Sequence, residues 1–275
     1  MTGPASTSAP MTTRDGRFGY EAAGDATLPP LGFLHGIGGA ARAWRGQLDF
    51  FKDQYRAIAW DMPGYGGSSA LPSVSIAALA DALQDFLQAI GGPRPVLVGH
   101  SIGGMVVQQW LTRHPRGAAA VVLAQTSPAF GKAEGDWQKQ FIEARLGPLD
   151  RGATMKSLAP VLVKELVGNN PDAAGMDIAR ECMGSVPEAS YRAMMLALLG
   201  FDQRKALADI AVPTLVLSGS EDKNAPAPMM AKMATYIPEA AYVELEGAGH
   251  LVNLEQPKAF NAALDQFFTR IRVTA

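Results

Sequence analysis

Residues Gly99–Gly103, which read GHSIG, constrain the fold of this chain more than any other stretch. They follow the apolar run Pro95–Val98 and precede a helix-like run from Met105 to Leu111. A strand that turns directly into a helix through a serine strains that serine's backbone, and the flanking glycines leave room because they lack a Cβ atom. Such a turn exposes the hydroxyl at a helix N-terminus, where unpaired N–H groups stabilise an anion. The pattern predicts that Ser101 is a nucleophile.

A serine nucleophile needs a neighbouring base, usually a histidine that a carboxylate holds in place. His250 follows the alternating strand Ala241–Leu245 in a loop of small residues, and such a loop delivers a side chain to the edge of a site. We therefore predict that His250 is the base. The other three histidines are interpreted as a loop-bracing residue (His35), a packing or hydrogen-bonding residue (His100) and a surface residue (His114).

The orienting acid is expected after the strand Thr214–Gly219. Glu221 and Asp222 are the next carboxylates. Asp222 fits better because turn N–H groups easily fix its shorter side chain, while Glu221 would face solvent; an error of one residue stays open. The chain order of serine, acid and histidine is typical of one class of serine hydrolase and differs from the two other common orders.

The segment Leu31–Gly39 is predicted to form an apolar strand that ends in a glycine-rich turn. In a hydrolase, the backbone N–H groups of Ile37 and Ile102 would hold the developing oxyanion. Each such donor contributes about 3 kcal/mol in the transition state.

The same turn also fits a dinucleotide-binding pattern. Gly36, Gly38 and Ala41 satisfy G-x-G-x-x-G/A, and Asp61 ends the next strand where a ribose-binding acid would lie. A dehydrogenase would leave the combination of Ser101, Asp222 and His250 unexplained, however. The sequence therefore favours a hydrolase with no cofactor and no metal.

Length and composition predict one large core with a smaller lobe. The chain has 275 residues, 48% of them hydrophobic, and a net charge of −2 with scattered basic residues. This pattern predicts a small-molecule substrate and neither nucleic acid nor a membrane as partner. The lone Cys182 suits a reducing compartment, and neither a signal-peptide core nor a membrane-length apolar run is found, so we expect a cytoplasmic protein.

Strand-like and helix-like segments alternate along the chain, which predicts a doubly wound, mostly parallel α/β sheet with its site at the carboxyl ends of the strands. The alternation stops at about residue 127, where helical patterns continue until the last sheet strands begin. We therefore predict a flexible N-terminal tail over residues 1–13, a core formed by residues 14–126 and 210–275, and a helical cap over residues 127–209.

The cap is expected to supply the substrate-binding residues. Trp137 and Phe141, near its start, are predicted to form a pocket wall. Met194 belongs to a set of apolar cap residues that either line the pocket or fill the interior of the cap, and we assign it to substrate binding.

The chain resembles the α/β-hydrolase superfamily over residues 17–272. The motifs that carry the resemblance are the H-G-x-G turn at His35, the loop Asp61–Ser68, the turn at Ser101, the acid Asp222 and the G-x-G-H sequence that ends at His250. Within the superfamily the chain is similar to 3-oxoadipate enol-lactonases, in the stretches Gly103–Met105, Gln109–Leu111, Val122–Ser127, Phe201–Leu207 and Asn253–Asn261.

This resemblance implies a cofactor-free serine hydrolase that cleaves a small ester or lactone through an acyl-enzyme. The leading substrate is a carboxylated enol-lactone of aromatic catabolism, whose carboxylate would need a cation such as Arg145, Arg180 or Arg192. The alternatives are a general carboxylesterase, a carbon–carbon hydrolase, a perhydrolase and a ligand-binding receptor. Leu251 disfavours carbon–carbon hydrolysis, because those relatives often carry tryptophan after the histidine.

Overall fold

The computed structural model describes residues 9–131 and 136–271. Eight strands of these residues form one sheet: β1 (Pro10–Thr12), β2 (Gly19–Ala23), β3 (Pro30–Leu34), β4 (Arg56–Trp60), β5 (Val96–His100), β6 (Ala120–Ala124), β7 (Thr214–Gly219) and β8 (Ala241–Leu245). Their spatial order is β1-β2-β4-β3-β5-β6-β7-β8. The pairs β1–β2 and β2–β4 are antiparallel, and all the others are parallel. The predicted mostly parallel α/β sheet is confirmed.

The α-helices of the described residues are α1 (Arg45–Phe51), α2 (Ile76–Ile90), α3 (Ile102–Leu111), α4 (Trp137–Asp150), α5 (Met155–Leu166), α6 (Ala173–Ser185), α7 (Glu188–Ala197), α8 (Ala227–Thr235), α9 (Val252–Glu255) and α10 (Pro257–Ile271). Two short 3₁₀ helices cover Ala41–Trp44 and Ala206–Asp209. No helix among the described residues is long and apolar enough to cross a membrane.

The sheet is the centre of the molecule, and helices cover both of its faces. Every residue of β3, β5, β6 and β7 is buried, as expected for parallel strands with near-continuous apolar sequences. Side chains of α2, α3 and α8 pack in the core on one side, and those of α1 and α10 form a second cluster on the other. The carboxyl ends of the parallel strands therefore occupy fixed positions along one edge.

Helix α2 illustrates how the sequence sets these elements. The Ser75 side chain caps its first turn by accepting a hydrogen bond from the N–H of Ala78 at 3.1 Å. Its apolar residues recur at helical spacing and are buried against the sheet. Gly91, at φ +65°, ends the helix in a conformation that glycine adopts without strain.

The segment between β6 and β7 is a helical insertion. Its described residues contain α4, α5, α6 and α7. An isolated β-bridge pairs Ala129 with Asp202, and the N–H of Gln203 donates to the carbonyl of Pro128 at 2.7 Å. These bonds join the two ends of the insertion, so the helices between them form a lobe above the strand ends.

The predicted N-terminal tail is wrong for part of its length. Residues 1–8 lie outside the described residues, but Pro10–Thr12 form β1 and pair with Gly19–Glu21 of β2. All three residues of β1 are exposed, so their side chains show no burial pattern that would mark a strand. Backbone pairing with β2 places this edge strand, and the Ser-, Thr- and Pro-rich composition does not reveal it.

Candidate active site

Three strands, β5, β7 and β8, deliver polar side chains to the same edge of the sheet. Ser101 follows β5, Asp222 follows β7, and His250 follows β8. Since β5, β6, β7 and β8 are adjacent and parallel, these three residues converge although they lie far apart in the sequence. The site lies where ligands bind in open α/β sheets, outside the carboxyl ends of the strands.

Ser101 occupies a strained turn between β5 and α3. Its backbone lies at φ +55° and ψ −121°, a region that a non-glycine residue rarely adopts. A Cβ atom on Gly99 would lie 2.6 Å from the Cα of Gly104, and one on Gly103 would lie 2.6 Å from the carbonyl oxygen of Leu34. The glycines on both sides of Ser101 are therefore required by the close approach of neighbouring backbone, as the sequence predicted.

The serine, histidine and aspartate form a continuous hydrogen-bonded chain. The Ser101 Oγ lies 3.0 Å from the Nε2 of His250, and the His250 Nδ1 lies 2.7 Å from the Oδ2 of Asp222. The other oxygen of Asp222 accepts hydrogen bonds from the N–H groups of Asn224 (2.8 Å) and Ala225 (3.0 Å). With Nδ1 donating to the carboxylate, Nε2 is free to accept the serine proton.

Asp222, and not Glu221, is the carboxylate that contacts the histidine. Asp222 is buried, whereas Glu221 is exposed. Burial alone would raise the pKa of Asp222, but the neighbouring His250 and the two backbone N–H donors outweigh it and hold the pKa below its ordinary value. Asp222 therefore stays ionised and can stabilise a protonated imidazole.

The backbone of His250 is held from both sides. Its N–H donates to the carbonyl of Leu166, at the end of α5, at 2.7 Å. Its carbonyl accepts a hydrogen bond from the Nε2 of His100 at 2.6 Å. Burial is the main cause that lowers the pKa of His100 to about 3, and the nearby His250 is the second cause. His100 is therefore a neutral donor. The helical insertion and the strand before Ser101 thus both position His250.

The carboxylate of Glu255 fixes the loop around His250. Its Oε2 accepts from the N–H groups of Gly168 at 2.7 Å and Gly249 at 2.9 Å, and its Oε1 accepts from Leu251 at 2.8 Å. Glu255 is 2% exposed. Sequence analysis did not find this role, because the donors come from two loops far apart in the chain and only the folded chain brings them together.

The backbone N–H groups of Ile37 and Ile102, which the sequence predicts to hold an oxyanion, are both unpaired among the described residues. Ile102 is the first residue of α3. The hydroxyl of Tyr65 donates to the carbonyl of Ile37 at 2.8 Å and fixes that loop. Both donors are therefore free to bind a ligand oxygen.

His35 joins the Ile37 loop to the loop after β4. Its Nδ1 donates to the carbonyl of Gly36 at 2.7 Å, and its Nε2 accepts from the N–H of Met62 at 3.0 Å. Complete burial is the main cause that lowers the pKa of His35. A neutral imidazole is required here, because one ring nitrogen must donate and the other must accept.

Asp61, the residue that would bind a ribose in the dinucleotide interpretation, is already engaged. Its Oδ1 accepts from the N–H of Ala41 at 2.7 Å and its Oδ2 from that of Gly67 at 3.3 Å. The hydroxyl of Ser68 also donates to the Asp61 carbonyl. Asp61 therefore braces the loops on this side of the site.

A cavity of about 550 Å³ lies over Ser101 and His250, between the core and the helical insertion. Trp137, Phe141 and Arg145 are among its lining residues. The rings of Trp137 and Phe141 lie 5.3 Å apart and form part of one wall. The volume suits a small molecule.

The prediction for Met194 is wrong. Met194 is 0% exposed and packs inside the helical insertion, whereas Met195 lines the cavity. Successive residues of an α-helix differ by about 100° in direction, so an error of one position in α7 exchanges a lining residue for a core residue.

Arg145 is the one of the three candidate arginines that borders the cavity. Its guanidinium lies 4.6 Å from the centre of the Phe141 ring and 3.9 Å from a carboxylate oxygen of Glu165. Arg180 pairs with Asp177 outside the cavity lining. Arg192 likewise lies outside it, and pairs with Asp150 and Glu188. Of the three predicted cations, Arg145 thus remains the one that could meet a substrate carboxylate; Arg204 and Lys223, which the sequence did not single out, also line the cavity.

Solved structures share this fold. An esterase from Thermogutta terrifontis superimposes with a TM-score of 0.83 at 24% sequence identity, and the match covers 97% of this chain and 99% of the esterase. This similarity shows the fold alone.

The sequence matches the family described as "Alpha/beta hydrolase family" over residues 33–263. The chain is 28% identical to 3-oxoadipate enol-lactonase 2 of Acinetobacter baylyi over 268 residues, which cover 94% of this chain and 96% of the relative. It is 30% identical to (E)-2-((N-methylformamido)methylene)succinate hydrolase of the same organism, and the match covers 86% of this chain and 88% of the relative. The resemblance found in the motifs is confirmed, and the chain is a hydrolase that belongs to the alpha/beta hydrolase family.

Proposed function

We propose that this protein is a serine hydrolase that cleaves a small ester or lactone through an acyl-enzyme. The observation that carries the proposal is the hydrogen-bonded chain from Ser101 through His250 to Asp222, with distances of 3.0 and 2.7 Å. These values lie within the range expected for an activated nucleophile and its oriented base.

In the first half-reaction, Ser101 Oγ attacks the carbonyl carbon while His250 Nε2 takes its proton. The free N–H groups of Ile37 and Ile102 stabilise the tetrahedral oxyanion. The imidazolium then protonates the leaving oxygen, and the acyl group stays on Ser101. In the second half-reaction, His250 activates a water that releases the acid and restores the serine.

The leading substrate class is an ester or lactone that carries a carboxylate. Three cations border the mostly apolar cavity, namely Arg145, Lys223 and Arg204, and Arg204 already pairs with Asp202. We assign Arg145, which lies beside the Phe141 ring, as the cation that such a group needs. The names of two relatives support this class, since 3-oxoadipate enol-lactone and a substituted succinate are both carboxylated compounds. For an enol-lactone, the released enol would tautomerise to a ketone and make ring opening effectively irreversible.

A general carboxylesterase is the second candidate, favoured by the apolar wall of Trp137 and Phe141. A substrate panel distinguishes the two. Initial rates are measured with 3-oxoadipate enol-lactone and with short p-nitrophenyl esters, using the wild-type protein and the Ser101→Ala variant as control. We expect lactone turnover to exceed ester turnover in kcat/KM. Rapid ester turnover with an inert lactone would overturn the lactone assignment and leave the carboxylesterase.

A further inference from the structure

Gln125 lies at the same strand edge as the three residues described above. It follows β6 directly, and β6 lies between β5, which leads to Ser101, and β7, which leads to Asp222. Gln125 is 0% exposed to solvent and is one of the residues that surround the cavity. Within residues 9–131 and 136–271, neither its amide nitrogen nor its amide oxygen has a hydrogen-bond partner.

The backbone of Gln125 is also strained. Its φ is +42°, a value that side-chain-bearing residues other than Asn and Asp rarely adopt. Its N–H donates to the carbonyl of Leu217 in β7 at 3.0 Å, and the next residue, Thr126, donates its hydroxyl to the carbonyl of Ser101 at 2.7 Å. The conformation is therefore fixed by both neighbouring strands. Strain of this kind is concentrated at functional sites.

The other buried glutamines among the described residues, Gln47 and Gln108, bond through their amide nitrogens, although the Oε1 of Gln108 also has no partner. Gln47 Nε2 donates to the carbonyl of Asn253 at 3.3 Å and to the Oδ1 of Asn261 at 2.9 Å. Gln108 Nε2 donates to the carbonyls of Gly104 at 3.2 Å and Ser127 at 3.1 Å. A buried amide without partners destabilises a fold, so folding alone would favour an apolar side chain at position 125.

We propose that the amide of Gln125 binds a neutral polar group, a keto or hydroxyl oxygen, on the acyl part of the substrate. This inference rests on the proposed serine hydrolase function and deepens it, because it names a chemical requirement for the acyl group. Gln125 carries no charge to balance a buried carboxylate, whereas Arg145 does. The two residues would thus bind different groups of one substrate, Gln125 a neutral oxygen and Arg145 a carboxylate.

The position supports a contact close to the scissile carbonyl. Thr126 bonds to the backbone of Ser101, so Gln125 lies only one strand away from the nucleophile. The acyl group stays attached to Ser101 through both half-reactions. A hydrogen bond from Gln125 therefore orients it in acylation and again in deacylation.

The test replaces Gln125 by methionine, which has nearly the same length and the same difficulty with positive φ. Substrates are p-nitrophenyl hexanoate and its 3-oxo, 4-oxo and 5-oxo derivatives. We expect the wild-type protein to prefer one oxo ester, and Gln125→Met to lower kcat/KM for that ester by about 10–100-fold. The same variant should change kcat/KM for the plain hexanoate less than about 3-fold.

Thermal unfolding supplies an independent readout. Because the amide is unpaired in the free protein, Gln125→Met should raise Tm by roughly 2 °C or more. The matched control is Gln108→Met, which removes the two hydrogen bonds that the Gln108 amide nitrogen donates and should lower Tm. A lower Tm in Gln125→Met together with equal loss on all esters would show a structural role and overturn the proposal.

A wild-type protein without preference for any oxo ester would also overturn it. Failure of the proposed hydrolase function is recognised separately, because Ser101→Ala would then leave hexanoate turnover unchanged. In that event, calorimetry measures the binding of 3-oxo-, 4-oxo- and 5-oxohexanoic acid to the wild-type protein and to Gln125→Met. Weaker binding to the variant supports a polar contact at Gln125, and equal binding refutes it.

Discussion

At the scale of single residues, the chemistry depends on how Ser101 and Arg145 are held. Ser101 is fixed in a strained conformation between two close backbone contacts, with its hydroxyl 3.0 Å from His250. Arg145 is confined by the Phe141 ring and by Glu165 at the border of the cavity. Ser101 is therefore suited to attack a substrate carbonyl, and Arg145 is suited to bind a substrate carboxylate.

Replacing Ser101 by alanine should lower kcat by about 10⁶-fold. Ser101, His250 and Asp222 are expected to act as a unit, so removal of the nucleophile alone abolishes the contribution of all three. Alanine keeps the Cβ atom and the same backbone restriction, so we expect Tm to change by less than about 2 °C. Initial rates on p-nitrophenyl butyrate and a thermal melt measure both quantities. A variant that retains more than about 1% of the wild-type kcat would mean that another residue attacks.

Replacing Arg145 by methionine should raise KM for a carboxylated substrate by about 10–100-fold, because one charge-assisted hydrogen bond to the substrate is lost. The matched pair is mono-p-nitrophenyl adipate and p-nitrophenyl hexanoate, which differ in a terminal carboxylate. The control is Arg180→Met, since Arg180 lies outside the cavity lining and pairs with Asp177. Equal effects of Arg145→Met on both esters would contradict carboxylate binding at this residue.

At the scale of elements, the loop after β8 is held by the side chain of Glu255 in α9 and by the end of α5. Glu255 binds Gly168, Gly249 and Leu251, and the carbonyl of Leu166 accepts the N–H of His250. The helical insertion is thus tied to the loop that carries the base. A small movement of this loop would misalign His250 and slow the reaction.

Glu255→Gln tests this connection. A glutamine exchanges one accepting oxygen for an NH₂ donor that faces backbone N–H groups, which should cost about 1.5–3 kcal/mol and lower Tm by roughly 3–12 °C. At a temperature where the variant is folded, we expect kcat to fall more than KM rises. The exposed Glu239→Gln serves as control. A lower Tm with unchanged kcat would show that Glu255 supports the fold without positioning His250.

Sequence patterns predicted the parts of the site that local chemistry determines. A serine flanked by glycines between a strand and a helix signals the turn at Ser101, and a short loop after a strand signals His250. Gln125 and Glu255 were not predicted, because their significance depends on which distant groups do or do not meet them. Met194 was assigned in place of Met195 because periodicity alone does not fix the rotation of α7. The catalytic roles themselves stay predictions until the variants are measured.

At the scale of the whole molecule, the buried and neutral histidines His35 and His100 brace the site and also make the stability of the fold depend on pH. Burial lowers the pKa of His35, and burial together with His250 lowers that of His100 to about 3. The unfolded chain binds protons at these residues below about pH 6.5. The folded chain does not, so the unfolded state binds more protons and the free energy of unfolding falls as pH decreases from about 6.5 towards 3.

His100→Gln tests this linkage, since a glutamine can keep the donor to the His250 carbonyl and does not titrate. Between pH 7 and pH 5, the wild-type protein should lose about 2 kcal/mol more of unfolding free energy than the variant, at about 1.4 kcal/mol per pH unit below 6.5. Urea unfolding at both pH values measures the difference. Parallel losses in the two proteins would show that His100 titrates normally in the folded state.

The most direct measurement of the central claim, that Ser101 is an activated nucleophile, is covalent labelling by a fluorophosphonate followed by peptide mass mapping. The wild-type protein should gain one adduct, on the peptide that contains Ser101. Ser101→Ala should gain none, and His250→Ala should react far more slowly while still folded. No adduct on folded wild-type protein, or an adduct at another residue, would contradict the account.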